Sequence, residues 1–203
     1  MEEIGLFPLG IVLLPTERVP LHIFEPRYRE LIGECLEAER EFGLLLADGD
    51  GVRDVGTLAR VTEVLELFDD GRMNIVVEGG ERFRLLELTQ GRSFHTGRIE
   101  PVVDDAEPPA PREAKVALGA FRALVEAAEA GEAEEPSADS PQLSFELAAR
   151  VELATDAKQR LLELRSEKQR LRLVARLLEE AGRLVVLQRE LQERASRNGS
   201  RLR

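Results

Sequence analysis

The sequence predicts an α+β chain in which a small β-barrel is followed by a helical bundle with a long last helix. Three observations carry this. The first hundred residues are short apolar runs with strand character, separated by Gly, Pro and Asp punctuation. The stretch "DDAEPPAPRE", Asp104 to Glu113, is an acidic, proline-rich connector where composition changes. Beyond it, strand formers nearly vanish and apolar residues recur at helical spacing. These mark two regions, a barrel over 1–105 and a helical bundle with an extended basic helix over 106–203.

Element by element, "IGLFPL", "IVLLP" and "VPLHIF" read as strands, followed after one helix by "FGLLL", "VGTLARVTEVLELF", "MNIVVEG", "RFRLLEL" and "FHTGRIEPVV". Asp70-Gly71 suits the positive φ angles of a tight hairpin turn. Alternation holds at Met73, Ile75 and Val77 but changes phase near Glu63, which predicts a bulge or bend. Gly79-Gly80 reads as a turn or bulge between strands, not a phosphate cradle. A meander of short strands closes most economically as a barrel.

The first helix begins at Pro26, where a missing N–H costs nothing. Tyr28, Leu31, Ile32, Cys35 and Leu36 follow as one buried stripe, with Glu25 placed to meet the helix N-terminus. In the second region, Ala117, Phe121, Leu124, Val125 and Ala128 fall on one helical face. Ser140-Pro141 predicts a helix start for Leu143, Leu147, Ala148 and Val151. A last helix is expected from about Asp156, with Gln159 in capping-box position, to about Ala195 unless Gly182 interrupts it. Its apolar stripe shifts from Leu161, Leu164, Leu171, Val174 and Leu178 to Leu173, Leu177, Leu184, Leu187 and Leu191. A helix buried broadly in its first half and fraying in its second, or a projecting second half that pairs with a partner helix or with its own copy, are the two readings of that drift.

Charge narrows the function classes. The formal net charge of −11 divides into −9 over 1–100, −9 over 101–157 and +7 over 158–203. An acidic body repels phosphate backbones, so RNA binding would fall to the end of the last helix, at Arg183, Arg189, Arg194, Arg197, Arg201 and Arg203. One cysteine and two histidines cannot furnish a structural zinc site, and no metal or cofactor is expected. MEEIG at the N-terminus is acidic where a secretory signal is basic, and no apolar run approaches about 20 residues, so a soluble cytoplasmic protein without a membrane partner is expected.

Candidate reactive groups each have a plainer role. Cys35 lies on the buried stripe and reads as a small hydrophobe, while His22 alternates with Leu21 and Ile23 and His95 lacks a nameable partner. Lys115, Lys158 and Lys168 all fall on amphipathic helices, away from the apolar setting a lysine base needs. Arg82 and Arg84 share a strand face, and Arg82 is expected to pair with Glu25 at the strand-helix junction formed by Glu25, Pro26 and Tyr28.

The segment "LFPLGIVLLPTERVPLHIFEPRYRELI" resembles the opening of the Lon protease N-terminal, substrate-binding domain family. "FGLLL", "GTLARVTEV", "DGRMNIVVEGGERFRLLEL" and "KQRLLELRSEKQRLRLVARLLEE" extend that resemblance over most of the chain, as in free-standing members of the family. It implies a barrel like that of pseudouridine synthases and archaeosine transglycosylases (PUA-like), a helical bundle, and recognition of unfolded or flexible polypeptide. G-x-x-x-x-G-K-[ST] does not occur, and neither ATP hydrolysis nor peptide cleavage is expected, so an ATPase or protease would act in trans. The expected function is thus a non-catalytic polypeptide-binding module. Its groove is expected to involve Phe7, Pro15, His22, Phe24, Arg27 and Arg84, with RNA binding through the basic helix as the alternative.

Overall fold

A computed structural model describes residues 2–89, 92–108, 110–131 and 133–199. It is α+β and divides into two compact units, one through Ala106 with Ala148–Arg165, the other Glu107–Leu147 with the residues from Ser166 onward.

The first unit contains β1 (Glu2–Leu9), β2 (Arg18–Ile23), α1 (Pro26–Ala38), β3 (Phe42–Asp48), β4 (Gly51–Val52), β5 (Val55–Leu67), β6 (Met73–Thr89), β7 (His95–Pro101) and α4 (Thr155–Glu163), which follows α2 (Pro111–Ala127) and α3 (Leu143–Ala148) in the chain. Antiparallel pairing links β1 to β7, β7 to β6, β6 to β5 and β5 to β3, and a parallel pairing of β3 with β1 completes a ring. Phe7, Leu13, Ile23, Tyr28, Ile32, Phe42 and Ile75 are among the residues that fill one core cluster, Ile4, Leu6, Leu45, Phe83 and Ile99 a second. The alternation at Met73, Ile75 and Val77 buries those three side chains, and a register shift at Val61/Glu63 marks the expected change of phase in β5.

Gly79 and Gly80 lie inside β6, which runs unbroken for 17 residues; of the turn or bulge expected there the structure has the bulge, a register shift against β5 between Thr57 and Ala59. Gly79 instead admits close backbone approach: its N–H donates to the Glu17 carbonyl, and a Cβ there would collide with the Leu14 carbonyl oxygen. The β5–β6 hairpin turns through Asp69–Gly71, and positive φ is confined to Gly71 (+81°), with Phe68 and Arg72 bonded across the loop. That is the geometry of a three-residue hairpin loop, so the tight turn expected at Asp70-Gly71 forms with positive φ at the glycine alone.

α1 buries Tyr28, Leu31, Ile32 and Cys35, whereas Leu36 is 38% exposed, so the stripe is one residue narrower than expected. Glu25 does not cap α1 through its side chain; its carboxylate pairs with Arg27 at 2.8 Å. Ser140 does bond the Gln142 N–H, yet α3 holds only six residues.

The expected last helix is two helices. Leu164 is extended (φ −72°, ψ 131°), and a new helix, α5 (Glu167–Gly199), starts after Ser166, whose Oγ accepts the Gln169 N–H at 3.1 Å. Arg82 stabilises the break by donating to the Leu162 and Leu164 carbonyls, both at 2.7 Å, which a continuous helix would spend internally. Gln159 is no cap; it is buried and donates to the Val55 carbonyl. In the second unit α2 packs along α5 through Leu118, Phe121, Leu124, Leu171, Val174 and Leu178. Gly182 leaves α5 unbroken, and a Cβ there would sit 3.9 Å from the Leu124 Cα. Arg170 is fully buried, its guanidinium 4.6 Å from the centre of the Phe145 ring and bonded to Ser144 and Glu167.

Candidate functional site

The exposed end of the β2–β6–β5 sheet gathers an aromatic and apolar cluster. His22, Asn74 and Glu66 are register partners across the three strands and therefore share a face. His22 Nδ1–H donates to Asn74 Oδ1 at 2.6 Å, and Asn74 Nδ2–H donates to Glu66 Oε2 at 3.0 Å. The His22 ring thus held stacks on Phe24 (centroids 5.9 Å apart, 19° between planes) and meets the edge of Phe68 at 6.2 Å. Arg72 covers the Phe68 ring at 5.2 Å and pairs with Asp70 at 2.7 Å. Beside this plate Phe24 is 58% exposed, while Leu65 and Leu67, which alternate with Glu66 and Phe68 at the end of β5 and so belong to the other face of the sheet, are 53% and 68% exposed. Apolar groups standing in water on a framework of satisfied polar ones describe a contact surface.

Of the residues expected in the groove, the structure brings His22 and Phe24 together. Phe7 and Pro15 are buried, and Phe7 packs its ring 3.9 Å from that of Tyr28, so neither is an exposed contact. Arg27 is half-buried over Tyr28 and paired with Glu25; Arg84 is exposed on β6, opposite Glu100 of β7. Arg82, expected beside Glu25, is buried and pairs with Asp104 instead, because its strand carries it toward the Leu162–Leu164 carbonyls. Asn74, Glu66, Phe68 and Arg72 were not legible as site residues, since they join His22 only through the cross-strand register.

Groups capable of chemistry are kept in check. Cys35 lines a cavity of about 850 Å³ with Glu34, Arg40, Arg60, Arg92 and Phe94 among its walls. Burial, reinforced by the Glu34 charge and opposed by Arg40, pushes the thiol up to about 11, and among the described residues no hydrogen-bond partner reaches it. Lys158 pairs with the buried Glu17, whose other oxygen accepts the Leu14 N–H at 2.9 Å, and Lys168 lies 4.0 Å from Glu113. Lys115 is exposed on α2. Among the described residues no group of three or more His, Cys, Asp or Glu side chains could hold a metal ion, and no helix is long and apolar enough to cross a membrane. On the basic helix, Arg189 donates to the Ala127 carbonyl at 2.7 Å and pairs with Glu129, completing the C-terminus of α2. The side chains of Arg194 and Arg197, and all of Arg201 and Arg203, lie outside the described residues.

The ring of strands and the helices that follow it define an α+β class of domain. The family model for the ATP-dependent protease La (LON) substrate-binding domain matches residues 3–180, and the chain belongs to that family. Lon protease from Anaeromyxobacter dehalogenans is 31% identical over 183 residues, 82% of this chain and 22% of that protein. Lon protease from Parabacteroides distasonis is 29% identical over 116 residues, 53% of this chain and 14% of that one. The chain therefore spans about a fifth or less of the length of these relatives. Among solved structures, the Lon N-terminal domain protein from Xanthomonas campestris superimposes with a TM-score of 0.65 at 24% identity, covering 85% of this chain and 96% of that one. The N-terminal domain of Mycobacterium avium complex Lon protease gives 0.68 at 18% identity, covering 87% and 98%. At these identities the structures establish the shared fold.

Proposed function

We propose that this chain is a non-catalytic receptor for unfolded or flexible polypeptide, and that Phe24 with the His22–Phe68 plate makes the contact. The observation that carries the reading is the exposure of Phe24 beside a ring fixed by the His22–Asn74–Glu66 hydrogen bonds. An unfolded chain offers apolar side chains and spare main-chain groups, and a shallow apolar surface accepts many such sequences weakly. β2 supports this reading, because among the described residues it pairs only with β6, leaving its other edge for an extended ligand on either side of Pro20.

The raised Cys35 thiol and the paired lysines favour binding over catalysis. Membership of the Lon substrate-binding family supports the reading that the bound polypeptide is destined for an ATP-dependent protease in the cytoplasm. The test is a fluorescence-anisotropy titration with a reduced, alkylated and therefore permanently unfolded model protein. Saturable binding that Phe24→Ser weakens by about tenfold, and that Leu67→Ser on the other face of the sheet leaves within about twofold, is expected for an anchor of this size. Absence of binding, or binding indifferent to Phe24→Ser, would count against the reading.

A further inference from the structure

We propose that the bound polypeptide adds to the outer edge of β2 as an extra strand, and that Pro20 decides where along that edge it pairs. This rests on the receptor reading and deepens it, by naming the conformation of the ligand and the main-chain groups that hold it. Among the described residues β2 pairs with β6 alone. Its hydrogen-bonding sense is fixed from both sides. The Gly79 N–H donates to the Glu17 carbonyl at 2.9 Å, so Glu17 and the alternate residues Val19, Leu21 and Ile23 turn their main-chain groups towards β6. The Val76 carbonyl, opposite Pro20, accepts the Thr62 hydroxyl at 3.2 Å and thus points towards β5. Arg18, Pro20 and His22 therefore turn their main-chain groups outward, the setting in which a strand tolerates a residue with no N–H to give.

Among the described residues no hydrogen bond reaches the outer N–H groups of Arg18 and His22 or the carbonyls of Arg18, Pro20 and His22. Nor do the long side chains lie over that edge. Arg18 reaches across the sheet to Thr62 and Glu63 of β5, at 3.4 and 3.8 Å, and His22 reaches Asn74 of β6. The edge is open, and an extended peptide backbone, whose N–H and C=O groups recur at every second residue, is the ligand that matches it. A second copy of β2 matches it less well. Two such edges set antiparallel about Pro20 leave both Pro20 carbonyls without a donor, whereas a ligand residue there gives its N–H to the Pro20 carbonyl and loses only the return bond. Side chains alternate across a sheet, so a ligand residue beside His22 on the outer face comes against the His22–Phe24 stack. The ligand class is an extended segment with apolar residues at every second position and no proline opposite Pro20.

Anisotropy titrations with a labelled peptide of about ten residues, leucine alternating with serine and lysine, test this on wild type, Pro20→Ala and Phe24→Ser. Two N-methylated forms of the peptide are compared, one methylated at every leucine and the other at every residue between. Each form loses the donors along one edge and keeps its side chains. Pro20→Ala should bind the unmethylated peptide about threefold to tenfold more tightly, because alanine supplies the missing N–H. On wild type, one methylated form should lose at least about tenfold while the other stays within about threefold. The methylated pair is read on wild type, so the proposal remains testable if the alanine variant fails to fold. Equal losses for the two methylated forms, or a folded Pro20→Ala no tighter than wild type, overturn the strand pairing; if Phe24→Ser still weakens the peptide, the receptor reading stands without it. Binding of the unfolded protein with none of the peptide likewise overturns the strand pairing alone. No binding of either ligand by wild type overturns both. A Pro20→Ala chain that doubles its mass in sedimentation without binding the peptide more tightly places a second copy on the edge and overturns the proposal.

Discussion

The His22 ring lies stacked on Phe24 with 19° between their planes, while its Nδ1–H donates to Asn74 Oδ1 at 2.6 Å. The pairing joins an exposed apolar group to a polar anchor, so the position of Phe24 depends on residues in two other strands. His22→Ala and Asn74→Ala should each weaken binding of an unfolded protein by about threefold to tenfold, and the double variant should be little worse than either. A double-mutant cycle in anisotropy titrations measures this coupling. Strictly additive effects would mean that Asn74 does not act through the ring.

Arg82 is buried, pairs with Asp104 and donates to the Leu162 and Leu164 carbonyls. Arg82→Met should therefore destabilise the first unit by about 3 kcal/mol, because it strips a buried donor from two carbonyls and a carboxylate. Arg82→Lys should recover little, since a single ammonium cannot reproduce the planar fork that meets three oxygens at once. Urea unfolding measures both; a loss below about 0.5 kcal/mol for the methionine variant would show that Arg82 does not hold the break between α4 and α5.

Cys35 carries a thiol pushed up from 9.0 to about 11, first by burial and then by Glu34. At pH 8 the folded chain should consequently alkylate roughly a hundredfold more slowly than the urea-unfolded chain. For stability the sign is opposite to that of a paired carboxylate. The folded thiol keeps a proton that the unfolded one releases, so its contribution declines as pH rises from about 9 through about 11. Rapid alkylation at neutral pH would restore Cys35 as a candidate nucleophile.

Glu113 is held below the ordinary carboxylate range by its hydrogen bond with Arg172, and Glu135 likewise by Arg122. A carboxyl lowered on folding adds stability above its unfolded pKa and loses that contribution as pH falls through the folded value. Arg172→Gln should thus destabilise at pH 7, and its difference from wild type should shrink as pH falls through the lowered Glu113 value. Comparing the two proteins by urea midpoint at each pH cancels the general relief of charge repulsion on acidification. A difference that persists unchanged at low pH would assign the Arg172 effect to packing.

The α+β architecture was legible because its signals are local: alternation at Met73, Ile75 and Val77, Pro26 ahead of a helical stripe, and the composition change after Asp104. The break at Leu164–Ser166 had a local signal too, since Ser166 and Gln169 have capping-box spacing, but the continuous apolar periodicity across them masked it. Arg82 was misplaced because its partners are 80 or so residues distant in sequence and are mostly backbone carbonyls, which no side-chain pattern announces. The same limit applies to the surface. His22 and Phe24 stand together by strand alternation alone, whereas Phe68 and Asn74 reach them only once the three-residue hairpin loop and the bulges of β5 have set the register. The burial of Phe7 on β1 and of Pro15 in the turn before β2 was not legible, because neither position reveals which side of a closed ring of strands is covered.

Amide chemical-shift mapping of the isotopically labelled chain, titrated with an unlabelled unfolded protein, tests the receptor account most directly. The account predicts progressive, saturable shifts centred on 22–24 and 64–74, with the surroundings of Cys35 unchanged. Shifts concentrated instead around the Cys35 cavity, or none at saturating ligand, would contradict it.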